Sequence, residues 1–210
     1  MIDTLVPVNS SFFLHPDPLP LARLLIGHYI LTEKDGQLTG GRIVETEAYK
    51  APEDKACHAH LNRRTQRTEV MFEEGGTIYV YLCYGIHHLL NIVTGPSGMA
   101  HAILIRAIDP LIGSEVMASR RNGRPRKEWT NGPGKLTQAL GITVEDNAES
   151  LFTSSAPFRL LRPPDHTPTA DIVAAPRIGV DYAEECAAWP WRFLDANSPF
   201  VSVPPPTSQQ

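Results

Sequence analysis

The chain of 210 residues fits one large domain or two small ones, and its 42% hydrophobic and 20% charged residues are ordinary for a globular protein. It has no apolar run of about 18 residues and no signal-peptide pattern at its N-terminus, so we expect neither a membrane span nor secretion. A net charge of −4 argues, taken alone, against a nucleic-acid partner, and three widely spaced cysteines exclude a zinc ribbon and favour a reducing, cytoplasmic compartment.

The first half of the chain predicts a short helix followed by strands. "PLPLARLLIGHYIL" indicates a helix from about Leu19 that ends near Gly27 and is followed by a strand. "DGQLTGGRIVETEAY" indicates a turn and a second strand. "GTIYVYLCYGIHHLLNIVTG" indicates two strands joined by a tight turn at Tyr84 and Gly85, because glycine suits such turns.

The second half adds one more clear strand and two predicted helices. "AHAILIRAI" is typical of a strand, after which Asp109 and Pro110 predict the start of a helix. "NGPGKLTQALGI" predicts a loop that enters another helix, and the later segments predict short strands and loops. We therefore expect one α+β domain over residues 1–203, with a curved, mainly antiparallel sheet, flanking helices and a protruding hairpin. Residues 204–210 have the composition of a disordered, Pro-rich tail.

The segment "GRIVETEAYK" carries two acids on one side of a predicted strand. Alternation along the strand places Ile43, Glu45, Glu47 and Tyr49 on the same face. Such a face is either a wet surface or the lining of a cleft, and this stretch alone leaves both readings open.

Two polar side chains interrupt strands that are otherwise apolar. Arg106 lies within "AILIRAI", where an unpaired charge would be costly to bury, so it requires a carboxylate such as Glu45 or Glu47. Asn91 lies within "LLNIV" and requires partners for its amide. A structural salt bridge explains Arg106 as well as a functional role does.

Aromatic and basic residues supply further candidates. Tyr79 and Tyr81 share a strand face and suit a core, whereas Tyr84 at a hairpin tip suggests a probe or wedge. Lys135, in the first turn of a predicted helix, favours an anion site or a plain helix start. Basic clusters at Arg63, Arg64 and Arg67 and at residues 120–127 suit an anionic partner or a solvated surface. The histidines have no metal-ligand spacing, so we expect neither a metal nor a cofactor.

Several long motifs in register resemble one known family. The stretches "GRIVETEAYKAPEDKACH", "RRTQRTEVMF", "YVYLCYGIHHLLNIV", "AILIRAIDP", "NGPGKLTQALGI" and "PRIGV" occur in this order. Together, over about residues 10–203, they resemble the alkyladenine (3-methyladenine) DNA glycosylases, in the monofunctional branch without a helix-hairpin-helix. The resemblance implies a base-excision repair enzyme that acts on double-stranded DNA containing damaged purines. A monomer is the simplest expectation, at the nucleoid in a prokaryote or in the nucleus of a eukaryote.

The resemblance also implies roles for individual residues. Glu47 matches the acid that activates water, and Arg106 and the backbone carbonyl of Val180 match groups that hold that water. Four residues match the pocket for the flipped base: Tyr49, His58, Tyr81 and Asn91. Tyr84 matches the side chain inserted into the duplex, and Arg63, Arg64, Arg67 and Lys135 are the candidate contacts to the DNA backbone.

The implied chemistry suits these residue types. An alkylated purine such as 3-methyladenine is cationic and already a good leaving group, and a carboxylate kept ionised by Arg106 would stabilise an oxocarbenium-like transition state. A tyrosine cage would add about 0.5–2 kcal/mol through cation–π attraction. Two other classes remain open from the sequence: a carbohydrate hydrolase that uses Glu45 and Glu47 as its acid pair, and a non-catalytic nucleic-acid binder.

Overall fold

The computed structural model describes residues 4–164 and 171–204, and its strands form one sheet. The strands are β1 Val6–Pro7, β2 Tyr29–Lys34, β3 Gln37–Lys50, β4 Ile78–Cys83, β5 His87–Thr94, β6 His101–Ile112, β7 Phe158–Arg162, β8 Ile172–Ala175 and β9 Arg192–Asp195. The α-helices within the described ranges are α1 Pro18–Leu24, α2 Ser114–Arg120 and α3 Pro133–Leu140. Short 3₁₀ helices include Ser10–Leu14, His60–Asn62, Glu69–Phe72, Arg126–Glu128, Val144–Asp146 and Asp181–Ala188.

The sheet has the order β1-β7-β2-β3-β6-β5-β4, and every ladder in it is antiparallel. The short strand β9 pairs with both β3 and β8. The long strand β3 therefore has β2, β6 and β9 as partners, and it lies at the centre of the sheet. This architecture confirms the predicted α+β fold with a mainly antiparallel sheet.

Alternation along the central strands separates the core from the site. Ile103 and Ile105 of β6 pack in the main apolar cluster with Leu136 and Leu140 of α3. Arg106, next in sequence, points to the opposite side of the sheet, where it meets acidic side chains. One face of the sheet is thus a core under helices, and the other is available to carry polar groups.

Helix α1 begins and ends as its sequence predicts. The side chain of Asp17 accepts a hydrogen bond from the backbone N–H of Leu19 at 3.3 Å, and Pro18 occupies the first turn. The helix ends at Leu24 with Leu25 as its cap, and Gly27, with a φ of 93°, then turns the chain into β2. The predicted helix–strand pair is confirmed.

The β4–β5 hairpin turns at the predicted residues. Tyr84 and Gly85 both have positive φ, 51° and 73°, and the N–H of Ile86 donates to the carbonyl of Cys83 at 3.2 Å. The turn therefore closes tightly over the three residues that separate the paired Cys83 and His87. Tyr84 is 90% exposed, so its position at the tip is confirmed and a place in the core is excluded.

The prediction that a helix starts at Asp109 and Pro110 was wrong. Both residues belong to β6, where Asp109 pairs with Arg42 and Pro110 with Gly41. Pro110 has no N–H to donate to the ladder, and a register irregularity in β3 beside Gly41 accommodates it. The helix α2 begins only at Ser114, after Gly113 has taken a φ of 74°.

The predicted face of β3 needs one correction. The register shifts between Ile43 and Glu45, which leaves Val44 as a bulge residue. Because the extra residue inverts the alternation, Ile43 packs in the same cluster as Ala48, away from the acids. Glu45, Glu47 and the residues beyond them keep the shared face that the sequence predicted.

Two further predictions concern regions outside this core. Among the described residues, no helix has both the length and the apolar composition needed to cross a membrane. The predicted disordered tail over residues 204–210 lies outside the described residues from position 205 onward.

Candidate active site

A cavity of about 650 Å³ opens on the sheet face opposite the helical core. Strands β4, β5 and β6 contribute alternate side chains to it, and the start of α3 and the segment 178–182 complete its wall. Its volume lies in the range of small-molecule sites, which is about 300–1,000 Å³. The cavity brings together these predicted residues: Tyr49, His58, Arg67, Tyr81, Tyr84, Asn91, Arg106, Lys135 and Val180.

Glu47 lies behind the wall of this cavity, fully buried, and receives three hydrogen bonds. Its Oε2 accepts from the hydroxyl of Tyr49 at 2.7 Å and from Nη1 of Arg106 at 3.2 Å. Its Oε1 accepts from the backbone N–H of Ile178 at 2.8 Å. All three donors belong to residues that line the cavity, and Oε1, with one partner among the described residues, has the larger remaining capacity to accept.

Glu45 lies on the same face as Glu47 and is enclosed more completely. Its Oε1 accepts from Arg106 at 3.1 Å, from Arg192 at 3.0 Å and from the hydroxyl of Ser202 at 2.8 Å. Its Oε2 accepts from the backbone N–H of Ser202 at 2.5 Å. The side chain is fully buried and is absent from the cavity wall, which suits a structural anchor.

Arg106 joins the two acids and explains how a charge is tolerated within an apolar strand. Its Nε donates to Glu45, its Nη1 to Glu47 and its Nη2 to the hydroxyl of Ser202 at 3.2 Å. Burial alone would lower the pKa of Arg106, but the charges of Glu47 and Glu45 outweigh it and raise the pKa. The predicted pairing of Arg106 with Glu45 or Glu47 is confirmed with both.

Tyr49 lines the cavity and donates a hydrogen bond to the acid cluster behind it. Burial and the neighbouring Glu47 raise its pKa well above the usual value, so the hydroxyl keeps its proton. The ring of Tyr49 also lies 4.8 Å from the guanidinium of Arg177. The tyrosine is therefore fixed at both its hydroxyl and its ring.

Three aromatic side chains form another wall of the cavity. The rings of Tyr79 and Tyr81 are 5.4 Å apart, and His58 meets Tyr81 edge-on at 4.6 Å. Nδ1 of His58 lies 2.9 Å from the hydroxyl of Tyr79. Burial, with a smaller effect of the nearby Arg67, lowers the pKa of His58 to about 4, so the imidazole is neutral near pH 7.

Asn91 presents a fixed amide to the cavity. Its Nδ2 donates to the backbone carbonyl of Tyr79 at 3.1 Å and to that of Leu89 at 3.4 Å. Both N–H groups are used, and in the described part of the chain Oδ1 accepts no hydrogen bond. The two backbone carbonyls are the partners that the sequence position of Asn91 required. The oxygen of the amide remains as an acceptor at a defined place on the cavity wall.

The chain is similar to known proteins over most of its length. The profile of the family described as "Methylpurine-DNA glycosylase" matches residues 11–199. The chain is 50% identical over 189 residues to a "Putative 3-methyladenine DNA glycosylase" of Chlamydia pneumoniae, covering 89% of this chain and 94% of that protein. It is 46% identical over 197 residues to a protein of the same name from Bacillus mycoides, covering 90% and 97%.

The chain belongs to the methylpurine-DNA glycosylase family. This membership confirms the resemblance found in the motifs and the class of DNA-repair glycosylase that it implied. The rival interpretation as a carbohydrate hydrolase also fails on geometry, because Glu45 spends both oxygens on buried partners and faces no cavity. A pair of flanking acids is therefore not available.

Sequence reasoning missed the residues that support this candidate site from behind. Arg177 and Asp54 form a fully buried, two-pronged ion pair, with Nη1 2.5 Å from Oδ2 and Nη2 2.7 Å from Oδ1. Arg177 also donates to the backbone carbonyl of Ala48 at 2.9 Å. The pair ties the segment after β3, which carries His58, to the segment that supplies the Ile178 N–H. The traces in the sequence were the motifs "GRIVETEAYKAPEDKACH", which contains Asp54, and "PRIGV", which contains Arg177.

The remaining predicted residues divide between the cavity and its surroundings. The backbone carbonyl of Val180 accepts from the N–H of Ala183 at 2.8 Å, and Val180 lines the cavity. Lys135 reaches the side chain of Asn131 at 3.0 Å at the start of α3. Arg63 and Arg64 are exposed outside the cavity, where Arg64 stacks on Phe72 at 4.4 Å.

The histidines do not form a metal site. Within the ranges 4–164 and 171–204 no cluster of three or more histidine, cysteine or acidic side chains has ligand geometry. His58 instead uses its two ring nitrogens for contacts with Tyr79 and Arg67.

Proposed function

We propose that this glycosylase flips alkylated or deaminated purines out of duplex DNA and hydrolyses their N-glycosidic bond, leaving an abasic site. The observation that carries the proposal is Glu47, a buried carboxylate held by three donors directly behind an aromatic cavity. The substrate class includes 3-methyladenine, 7-methylguanine and hypoxanthine. The reaction needs no cofactor, because its nucleophile is water.

The aromatic wall would receive the flipped base. Tyr81 and Tyr49 offer ring faces for stacking, the ring of His58 adds a further aromatic surface, and Oδ1 of Asn91 offers a hydrogen-bond acceptor at the edge. Extrusion of a nucleotide costs a few kcal/mol, and Tyr84 at the exposed hairpin tip would fill the gap that it leaves. We propose that Arg63, Arg64 and Lys135 hold the DNA backbone.

The acid cluster would act on the sugar side of the base. As the bond to the purine breaks, the deoxyribose becomes oxocarbenium-like, and the Glu47 carboxylate stabilises that charge. A water bound at Oε1 of Glu47 and at the Val180 carbonyl would then attack the anomeric carbon and give its proton to the carboxylate. Because water rather than an amine attacks, the product is an intact strand with an abasic site, and no lyase step follows.

The test is release of free base from duplexes containing a single damaged purine, under single-turnover conditions. We expect the wild-type chain to release the base, with strand breaks appearing only after alkali treatment. We expect Glu47→Gln to lower the rate at least about 100-fold, since general acid–base and electrostatic terms of this kind contribute 10²–10⁴-fold. Binding of the damaged duplex should change little.

Glu45→Gln is the matched control, because it removes the neighbouring charge on the same strand face. We expect it to lower the melting temperature, since it breaks a buried pair with Arg106 and Arg192, and to slow excision far less than Glu47→Gln. If excision survives in the Glu47 variant and disappears in the Glu45 variant, the wrong acid has been chosen.

A further inference from the structure

Arg67 stands apart from the neighbouring arginines because its guanidinium lies in the cavity. The group is 4.7 Å from the centre of the Tyr81 ring, and its Nη2 donates to Nε2 of His58 at 3.2 Å. Arg64, three residues earlier, instead lies over Phe72 and pairs with Glu69 outside the cavity. The sequence grouped these arginines together, and the structure separates them.

The charge of Arg67 has no carboxylate partner. Among the described residues no acidic oxygen lies within 4.0 Å of its guanidinium, while Glu45, Glu47 and Asp54 are all paired with other arginines. A full positive charge therefore remains at the aromatic wall, on the ring that would also attract a cationic base.

Arg67 also sets the hydrogen-bonding pattern of His58. A guanidinium can only donate, so Nε2 of His58 must be the unprotonated nitrogen and Nδ1 carries the hydrogen that faces the hydroxyl of Tyr79. The guanidinium also lies within hydrogen-bonding reach of the Tyr79 hydroxyl, and its remaining N–H groups can donate to other acceptors in the cavity. These donors suit the carbonyl that a deaminated purine carries in place of an amino group.

We propose that Arg67 is a specificity-determining residue that acts as a charge filter in the base pocket, disfavouring cationic alkylpurines and favouring neutral, carbonyl-bearing purines such as hypoxanthine. The inference rests on the proposed function, because it concerns the choice among bases that the pocket accepts. A cationic purine that stacks on Tyr81 must displace Arg67 or tolerate its charge at close range. A neutral purine meets no such repulsion and gains a donor.

The competing role for Arg67 is a phosphate contact, and the two roles predict different results. A phosphate contact contributes equally whichever base is flipped, since the backbone is the same. A charge filter changes the ratio between a cationic and a neutral base. 7-Methylguanine and hypoxanthine form the suitable pair, because both carry the 6-carbonyl and only the first is cationic. The 2-amino and 7-methyl groups by which they also differ are the same for every variant, so the change in the ratio between variants reports the effect of the Arg67 charge.

The experiment compares base release from two duplexes of identical sequence that contain either 7-methylguanine or hypoxanthine. Single-turnover rates are measured below saturation for the wild type, Arg67→Gln and Arg63→Gln, after subtraction of spontaneous depurination. Arg67→Gln removes the charge but keeps an N–H group that can reach His58. Arg63→Gln removes an equal charge from the same exposed segment and serves as the matched control.

We expect Arg67→Gln to raise the ratio of 7-methylguanine to hypoxanthine release about threefold to tenfold, in line with cation–π energies. Arg63→Gln should leave the ratio unchanged, and Arg67→Lys, which retains the charge, should stay near the wild-type ratio. Equal losses on both duplexes in the Arg67 and Arg63 variants would overturn the filter and leave a phosphate contact. Failure of the wild type to release either base would overturn both the proposed function and the filter. If the wild type releases both bases and Glu47→Gln releases neither, the proposed function is upheld independently of the ratios measured for the Arg67 variants.

Discussion

At the scale of single residues, identical side chains take different roles because their partners differ. Glu45 and Glu47 are two positions apart on one strand, share Arg106 and are equally buried. Ser202 and Arg192 saturate Glu45, whereas the partners of Glu47 all line the cavity. The capacity of an oxygen to accept one more hydrogen bond thus distinguishes a candidate catalytic group from an anchor.

His58 gives a prediction about stability and pH. Its pKa is about 4 in the folded chain against 6.5 for the ordinary group, so between these values the unfolded state binds a proton that the folded state does not. The free energy of unfolding is therefore unaffected by the titration of this histidine above pH 6.5. As the pH falls from 6.5 toward 4, protonation of His58 in the unfolded state lowers that free energy by at most about 1.4 kcal/mol per pH unit.

Urea unfolding of the wild type and His58→Asn at several pH values tests this expectation. The unfolding free energy of the wild type minus that of the variant should be constant above pH 6.5 and should decrease as the pH falls below 6.5. His15→Asn, which changes an exposed histidine, is the control and should follow the wild type. A difference that stays constant down to pH 4 would contradict the lowered pKa.

At the scale of elements, the β4–β5 hairpin combines a rigid base with an exposed apolar tip. Tyr79 at its base is buried and belongs to the cavity wall, whereas Tyr84 and Ile86 at its tip are 90% and 71% exposed. Positive φ values at both turn residues hold the tip in a single tight geometry. The hairpin thus carries cavity-lining residues and a candidate wedge on one element.

Tyr84→Ala should weaken excision without destabilising the fold. Because the ring is exposed, the melting temperature should remain within about 1–2 °C of the wild type, whereas a core tyrosine would cost about 3–5 kcal/mol. Loss of stacking, about 1–3 kcal/mol, should slow excision about tenfold from a paired site and less from an unpaired one.

Ile86→Ala removes a second apolar side chain from the same tip and serves as the control for general loss of contact. We expect it to affect paired and unpaired sites alike. Equal losses on both substrates in the Tyr84 variant would remove the wedge from the mechanism.

At the scale of the whole molecule, the net charge of −4 conceals an uneven distribution. The first 144 residues contain 15 basic and 14 acidic residues, and the remainder contains 4 and 9. Several arginines of the 120–127 cluster are occupied within the protein: Arg120 donates to Ala139, Arg121 to Glu128 and Arg126 to Pro110. The exposed basic residues near the cavity are therefore the better candidates for the phosphate contacts.

Binding to duplex DNA should depend on salt in spite of the acidic total. With contacts from Arg63, Arg64 and Lys135, the logarithm of affinity should fall with the logarithm of salt concentration with a slope of about −2 to −3. Arg63→Gln should reduce this slope by about one. Arg124→Gln, which removes an exposed charge away from the cavity wall, should leave it unchanged. A flat response from 50 to 200 mM salt would exclude backbone contacts by these residues.

The sequence by itself determined the elements whose signals are local. Alternating side chains placed Tyr79 and Tyr81 on one face, the pair Tyr84 and Gly85 located one turn, and Gly27 located the turn between the first helix and β2. Each signal acts between residues within a few positions of one another, through sterics and period-two geometry. The motifs in register also identified the family, because long matches preserve which residue types occur together.

Only the tertiary structure decided which polar groups meet. The bulge at Val44 moved Ile43 to the other face, and strand pairing kept Pro110 in β6 against its helix-starting pattern. Asp54 meets Arg177 over 123 positions, and the exposed Arg67 lies over the ring of Tyr81 at the cavity. These outcomes depend on register and on burial of charges between distant segments, which no local pattern encodes. The chemistry of the site therefore depends on long-range contacts, although its residue types can be read along the chain.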